Sequence, residues 1–156
     1  MKKAFLSALT IMLAVASYGQ NLHFICIADT DDNKIGKSVT KDVNQMLDFV
    51  MSLASDIGIE DNLQPAIVMM GKECNKRNLL TTIEEFKCAN DDVVIFYYSG
   101  HGVRAYQDAS EFPQLCLQKD FISLEYVKEK IEKKEPGLAI ILADCCNSYN
   151  SSVTPK

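Results

Sequence analysis

The sequence lacks several features that would assign a protein to a class at once. It has no basic cluster and its formal net charge is −5, which argues against nucleic acid as the main partner. Its six cysteines include no Cys-x-x-Cys pair, so zinc binding is not indicated. Internal repeats, low-complexity segments and linkers are also missing. The 156 residues, 47% of them apolar, therefore predict one domain with a real core.

Long apolar runs are missing too, except at the N-terminus. Met1-Lys2-Lys3 precedes the apolar residues 4–16 and small residues up to Gly19, which is typical of a secretory signal peptide. A buried N-terminal helix is the alternative. We expect residues 1–19 to be a signal peptide and residues 20–156 to be the folded domain. The protein would then be secreted or periplasmic, without membrane attachment after signal removal, and able to form disulfides.

Four short apolar runs have the length and composition of buried strands: residues 22–28, 66–71, 93–98 and 138–144. Apolar residues spaced three and four apart predict a helix in each interval, capped by Ser38, by Asn75 or Asn78, and by Ser123. Residues 99–122 are predicted to be a loop with a short apolar insert. Near-continuous apolar strands alternating with helices predict an α/β fold, a mainly parallel sheet with helices on both faces.

Histidine is scarce, and one of only two histidines stands at a strand end. His101 lies between two glycines in "SGHG", after the third predicted strand, and Cys145 and Cys146 follow the fourth. Parallel strands bring their C-terminal ends to one edge of the sheet, where ligands bind. A thiolate there is a nucleophile that an imidazole can assist. The backbone N–H groups of Gly102 and Cys146 are candidates for an oxyanion hole.

Plainer interpretations of these residues stay open at this point. The His-Gly pair can be an ordinary turn. The Cys145-Cys146 pair can be a core residue beside an exposed one, or a strained vicinal disulfide. A thiol redox role for the pair is disfavoured, because redox motifs usually separate their cysteines by two residues.

Two motifs resemble those of the caspase-like cysteine peptidases (peptidase C14), most closely the metacaspase branch. "YYSGHG" is similar to the histidine motif of the family, and "LADCCNS" resembles its Asp-x-Cys-x-Ser motif. The separation of His101 and Cys146 also agrees with the family. "IGKSVTKDVNQM" resembles the start of the first helix in metacaspases, with Asp42 at an acidic position.

The resemblance implies a role for each matching residue. His101 would be the general base and acid, and Cys146 the nucleophile, with Cys145 as a rival at a variable position. Asp42 and Asp144 would line the first specificity pocket, which favours peptide or protein substrates cleaved after Arg or Lys. The alternative for Asp42 is an ordinary acid in the first helical turn, favourable to the helix dipole.

The resemblance also implies a caspase-like three-layer sandwich, with two departures. Asn147-Ser148-Tyr149 stands where the family often has His-Ser-Gly, and the sequence ends at Lys156. We therefore expect the large-subunit (p20-like) region alone, with the C-terminal small-subunit part missing and the fourth strand open to a partner chain. The alternative function is a catalytically incomplete module that binds peptides or regulates through this open sheet edge.

The expected chemistry requires no cofactor. Some metacaspases depend on calcium, and Asp108, Glu111 and Asp120 carry oxygen ligands of the right kind. Three scattered acids in a loop do not make a clear motif, so calcium stays a possibility and no metal site is predicted.

Overall fold

The computed structural model describes residues 20–105 and 110–150. In chain order the elements are β1 (Leu22–Ala28), α1 (Gly36–Asp56), β2 (Ile67–Met70), α2 (Lys76–Glu85), β3 (Val93–Ser99), β4 (Gly102–Ala105), β5 (Gln114–Leu117), β6 (Asp120–Ser123), α3 (Leu124–Glu132), β7 (Leu138–Asp144) and β8 (Tyr149–Asn150). Within those ranges no helix is long and apolar enough to cross a membrane. The signal peptide expected at residues 1–19 lies outside the described residues.

The main sheet is parallel and has the strand order β2-β1-β3-β7. Its strands match the four apolar runs, so the predicted α/β fold is confirmed. Ser99 at the end of β3 is level with Ala28 on β1 and with Asp144 on β7. Three strands therefore end side by side at one edge of the sheet. β7 is the outer strand of this order, as expected of the fourth run.

Helices cover both faces of the main sheet because its strands are apolar on both sides. On β1, Phe24 and Cys26 belong to the core under α1, whereas Ile25 and Ile27 belong to the core under α2 and α3. All four side chains are fully or almost fully buried. Burial also raises the pKa of Cys26 to about 12, so this cysteine is an inert core residue, as its apolar surroundings predict.

The loop predicted between residues 99 and 122 is wrong. β4, β5 and β6 pair antiparallel, and β8 joins β4 to make a second sheet with the order β6-β5-β4-β8. Leu115 and Leu117 of β5 alternate with less buried neighbours and join the core under α2 and α3. Each strand is four residues or shorter, too short for a period-two pattern to stand out.

The helix caps are partly as predicted. The side chains of Asn75 and Ser123 accept hydrogen bonds from backbone N–H groups at the starts of α2 and α3. The cap predicted at Ser38 is wrong, because α1 already begins at Gly36 and the Ser38 hydroxyl donates to the carbonyl of Ile35. The turn before α1 is held instead by Asp32, whose carboxylate accepts two backbone N–H groups.

The other histidine, His23, has a structural role at the opposite end of the sheet. Its Nε2 lies 2.9 Å from the carboxylate of Asp92, which is 2% exposed. That carboxylate also accepts hydrogen bonds from the backbone N–H groups of Asn21 and Ala89. Burial alone would raise the pKa of Asp92, but these hydrogen bonds outweigh it and lower the pKa to about 2. The cluster ties the start of β3 to β1.

We predict that Asp92→Asn lowers the free energy of unfolding by about 2 to 3 kcal/mol at neutral pH. The carboxylate has a lower pKa in the folded chain than its ordinary 3.8. Its contribution is therefore complete above about pH 4 and is lost as the pH falls towards about 2. Urea unfolding of both proteins across this range measures the effect, and the two curves should converge in acid. Asp91→Asn, at an exposed neighbour, is the matched control; an equal loss there would contradict the prediction.

Candidate active site

His101 lies just after β3, where the chain leaves the main sheet. Its backbone carbonyl is held by a buried side chain of β3. The hydroxyl of Tyr98, a fully buried side chain, lies 2.6 Å from the carbonyl oxygen of His101 and 2.9 Å from that of Cys116. A Cβ on Gly100 would meet this same hydroxyl at 2.6 Å. The first glycine of "SGHG" therefore leaves room for the tyrosine that holds the His101 carbonyl.

The second glycine allows the chain after β7 to come close. A Cβ on Gly102 would collide with the carbonyl oxygen of Cys146 and with the Sγ of Cys145. The Arg104 N–H donates to the Ser148 carbonyl at 2.8 Å, so the contact continues along β4. The two glycines beside the histidine therefore serve different contacts: Gly100 leaves room for the Tyr98 hydroxyl, and Gly102 lets the chain after β7 lie against the histidine segment.

A cleft of about 390 Å³ opens at this edge of the main sheet. It is lined by Ile35, Ser38, Val39, Asp42, Ser99, Gly100, His101, Asp144, Cys145 and Cys146. The four side chains singled out by sequence, Asp42, His101, Asp144 and Cys146, therefore line one cleft. The backbone of Gly102 lies against Cys146 beside it, so the two candidate oxyanion-hole residues are neighbours as well.

The two adjacent cysteines have different surroundings. Cys145 packs against the core under α2 and α3. Burial raises its pKa to about 11, with smaller contributions from the nearby thiols of Cys116 and Cys146. Cys146 is exposed, and both cysteines are free thiols. Because the thiolate is the reactive form, burial disfavours Cys145 as a nucleophile, whereas the Cys146 side chain is accessible from the cleft.

Asp42 and Asp144 approach the same part of the cleft from different elements. Asp42 lies in the second turn of α1, which has no acid in its first turn, so the first-turn alternative is wrong. Its carboxylate accepts a hydrogen bond of 3.3 Å from Ser99, the residue level with Asp144. Burial raises the pKa of Tyr97 to about 12, and the charges of Asp144 and Asp42 act in the same direction. Both carboxylates therefore lie near one tyrosine hydroxyl.

Sequence reasoning missed an acidic residue beside the histidine. The Oδ2 of Asp32 lies 3.4 Å from the Nε2 of His101. Asp29, at the end of β1, is also close enough for His101 to influence its pKa. The only signal for it was the acid-rich segment "ADTDDN" after β1, which ends at the same edge as β3.

The acidic side chains that the sequence offers for calcium are not gathered into one group in the described part of the chain. Among residues 20–105 and 110–150, no group of three or more His, Cys, Asp or Glu side chains is arranged to hold a metal ion. Asp108 lies outside the described residues, and Glu111 and Asp120 belong to separate segments of the small sheet region.

The fold and the cleft define a caspase-like architecture, and comparison with known families agrees. The family model of the caspase domain of peptidase C14 matches residues 23–156. The chain belongs to this family, whose members are cysteine peptidases acting on peptide or protein substrates. A comparison with curated proteins found no match.

We predict that limiting iodoacetamide at neutral pH modifies Cys146 at least about tenfold faster than Cys145, because burial keeps the Cys145 thiol protonated. Peptide mapping by mass spectrometry measures both rates in one sample. Cys26 and Cys74, whose burial raises both pKa values to about 12, are internal controls that should stay unlabelled. Equal labelling of Cys145 and Cys146, or a disulfide between them, would contradict the assignment.

Proposed function

We propose that this chain is a cysteine endopeptidase that uses His101 and Cys146 as a catalytic dyad and cleaves after Arg or Lys. The observation that carries the proposal is the single cleft lined by His101, Cys146, Asp42 and Asp144. Membership of the caspase-domain family supports the class of reaction.

In the proposed reaction, His101 takes the thiol proton of Cys146 and the thiolate attacks the carbonyl carbon of the scissile peptide bond. The negative oxygen of the tetrahedral intermediate is stabilised by the backbone N–H groups of Gly102 and Cys146. The intermediate collapses as His101 gives its proton to the leaving amine, which produces an acyl-enzyme. A water molecule then gives a proton to His101 while its oxygen attacks the acyl carbon. The carbon–sulfur bond breaks, the carboxylic acid leaves, and His101 returns the proton to the sulfur of Cys146.

The proposed specificity follows from charge. Asp42 is held in the cleft by the Ser99 hydroxyl and Asp144 is exposed at the end of β7. Two carboxylates facing one cleft attract a guanidinium or an ammonium group and repel an acidic side chain. The proposed chemistry uses only side chains and backbone groups, so it requires no cofactor. Export is proposed separately, from the N-terminal sequence alone.

We predict that the purified protein, with or without calcium, hydrolyses a fluorogenic peptide ending in Arg, and not one ending in Asp. Cys146→Ala should lower the rate by at least about a thousandfold, because it removes the nucleophile. Asp42→Asn and Asp144→Asn should each lower kcat/KM for the Arg peptide by about tenfold or more, because each removes a charge-assisted contact.

Two comparisons make this test specific. Asp48→Asn removes the same charge from an exposed position further along α1 and should leave kcat/KM unchanged. Cys145→Ala should retain activity. Cleavage after Asp, or full activity in Cys146→Ala, would overturn the proposal.

A second candidate function is a binding module that acts through the open edge of β7. In the described part of the chain β7 pairs only with β3, and Leu138 and Leu142 on it are 50% and 38% exposed. A groove of about 220 Å³ beside it is lined by Phe112, Leu124, Lys128, Glu132, Ala139 and Ile141. An apolar outer strand of this kind accepts a strand from another polypeptide.

We predict that the protein associates at high concentration if this edge is a binding surface, measured by gel filtration with light scattering. Leu142→Lys should weaken association by about tenfold or more, because it places a charge on the apolar edge. Ile57→Lys, at an exposed apolar residue just after α1, is the matched control. A folded monomer at every concentration would argue against this function and leave the peptidase proposal intact.

A further inference from the structure

We infer that Asp32 is a positioning residue for His101: its carboxylate holds one nitrogen of the imidazole and leaves the other for the thiol of Cys146. The inference rests on the proposed dyad and adds a residue that the family motifs do not include.

The carboxylate of Asp32 is fixed before it meets the histidine. Its Oδ1 accepts hydrogen bonds from the backbone N–H groups of Lys34 at 2.7 Å and Ile35 at 2.9 Å. Its own carbonyl accepts the N–H of Gly36 at 2.9 Å. One oxygen is therefore engaged by the turn that starts α1, and the other is free to contact the ring of His101. A side chain held in this way loses little further entropy on contacting the imidazole.

The second oxygen of Asp32 faces the ring of His101. Oδ2 lies 3.4 Å from Nε2, with the two side chains 25% and 46% exposed. The backbone carbonyl of His101 is held separately by the Tyr98 hydroxyl. Two contacts thus hold the histidine. The core holds its backbone through Tyr98, and the turn after β1 holds its ring through Asp32.

The negative charge of Asp32 also favours its contact with the His101 ring. The backbone N–H groups of Ile35 and Lys34 are the main cause that lowers the pKa of Asp32, and His101 acts in the same direction. Asp32 is therefore an anion at neutral pH. Asp29 differs, because burial and the nearby Asp32 charge raise its pKa.

Asp42, Asp144 and Cys145 are the other ionisable groups that line the cleft with the dyad. Of the acids around His101, Asp32 is the one whose carboxylate contacts a ring nitrogen among the described residues.

The chemical consequence concerns the proton of Cys146. When Nε2–H donates to Asp32, Nδ1 is the ring nitrogen with a free lone pair that can accept the thiol proton. The imidazolium that forms is stabilised by the adjacent carboxylate. No bond to Asp32 forms or breaks, so its effect is on orientation and on the stability of the thiolate–imidazolium pair.

Asp32→Asn tests this inference because the asparagine Oδ1 can still accept the Lys34 and Ile35 N–H groups. The turn is kept while the negative charge and the second acceptor are lost. We expect iodoacetamide to alkylate Cys146 about tenfold more slowly at neutral pH, and the rate-against-pH curve to move to higher pH. For peptide hydrolysis kcat should fall with KM little changed, and the melting temperature should stay within a few degrees of the parent.

Asp31→Asn is the matched control, since it removes the same charge from the same loop. The Asp31 carboxylate lies beside Gly71, where an added Cβ would meet it at 2.8 Å, and not beside His101. Asp32→Asn in a His101→Ala background separates positioning from structure: a positioning role predicts no further slowing of alkylation there.

The outcomes distinguish a failure of the Asp32 inference from a failure of the proposed dyad. An Asp32→Asn protein whose Cys146 is alkylated at the parent rate overturns the inference and leaves the dyad standing. Equal slowing by Asp31→Asn, or additive slowing in the His101→Ala background, also overturns it. If the parent Cys146 reacts no faster than free cysteine and His101→Ala changes nothing, the dyad itself fails and the inference fails with it.

Discussion

The site depends on one constraint, the in-register pairing of β3 with its neighbours β1 and β7. Ser99 is level with both Ala28 and Asp144, so the residues after all three strands emerge at the same height. A slip of one residue in β7 would move each of its side chains to the other face of the sheet. The cysteine pair would then no longer meet Gly102. The register is secured by burial: Val94, Ile95 and Phe96 of β3 lie in alternate cores and are all 2% exposed or less.

Burial also explains why polar chemistry gathers at this edge. A strand covered on both faces cannot carry charged side chains without a large desolvation cost. Asp92, almost fully buried beside the first residue of β3, needs His23 and two backbone N–H groups to keep its charge. At the other end the backbone turns out of the sheet, and His101 and Cys146 reach solvent there. The same apolar strands thus stabilise the fold and confine the reactive groups to its rim.

Much of the fold and of the candidate site could be predicted because each rested on a strong local signal. The apolar runs at β1 and β7 have the bounds that the structure shows, and His101 and Cys146 follow from where β3 and β7 end. The small sheet was missed because β4, β5 and β6 are too short to show a period. Asp32 was missed because its contact with His101 joins residues 69 positions apart in sequence, and nothing in the spacing of "ADTDDN" indicates which acid turns inward. The helix was predicted to start at Ser38, but a local turn held by Asp32 starts it at Gly36 instead.

The acids around the cleft show how one residue type serves different purposes there. Asp32 is directed at an imidazole because two backbone N–H groups already fix its other oxygen. Asp42 is bound more loosely, by a single hydroxyl at 3.3 Å, and Asp144 is exposed. A carboxylate with its hydrogen-bonding capacity already used contributes orientation, whereas one with unused acceptors can bind an incoming cation. The proposed roles of these acids, Asp32 towards the histidine and Asp42 and Asp144 towards the substrate, therefore rest on the backbone donors near each one, and not on the number of negative charges in the cleft.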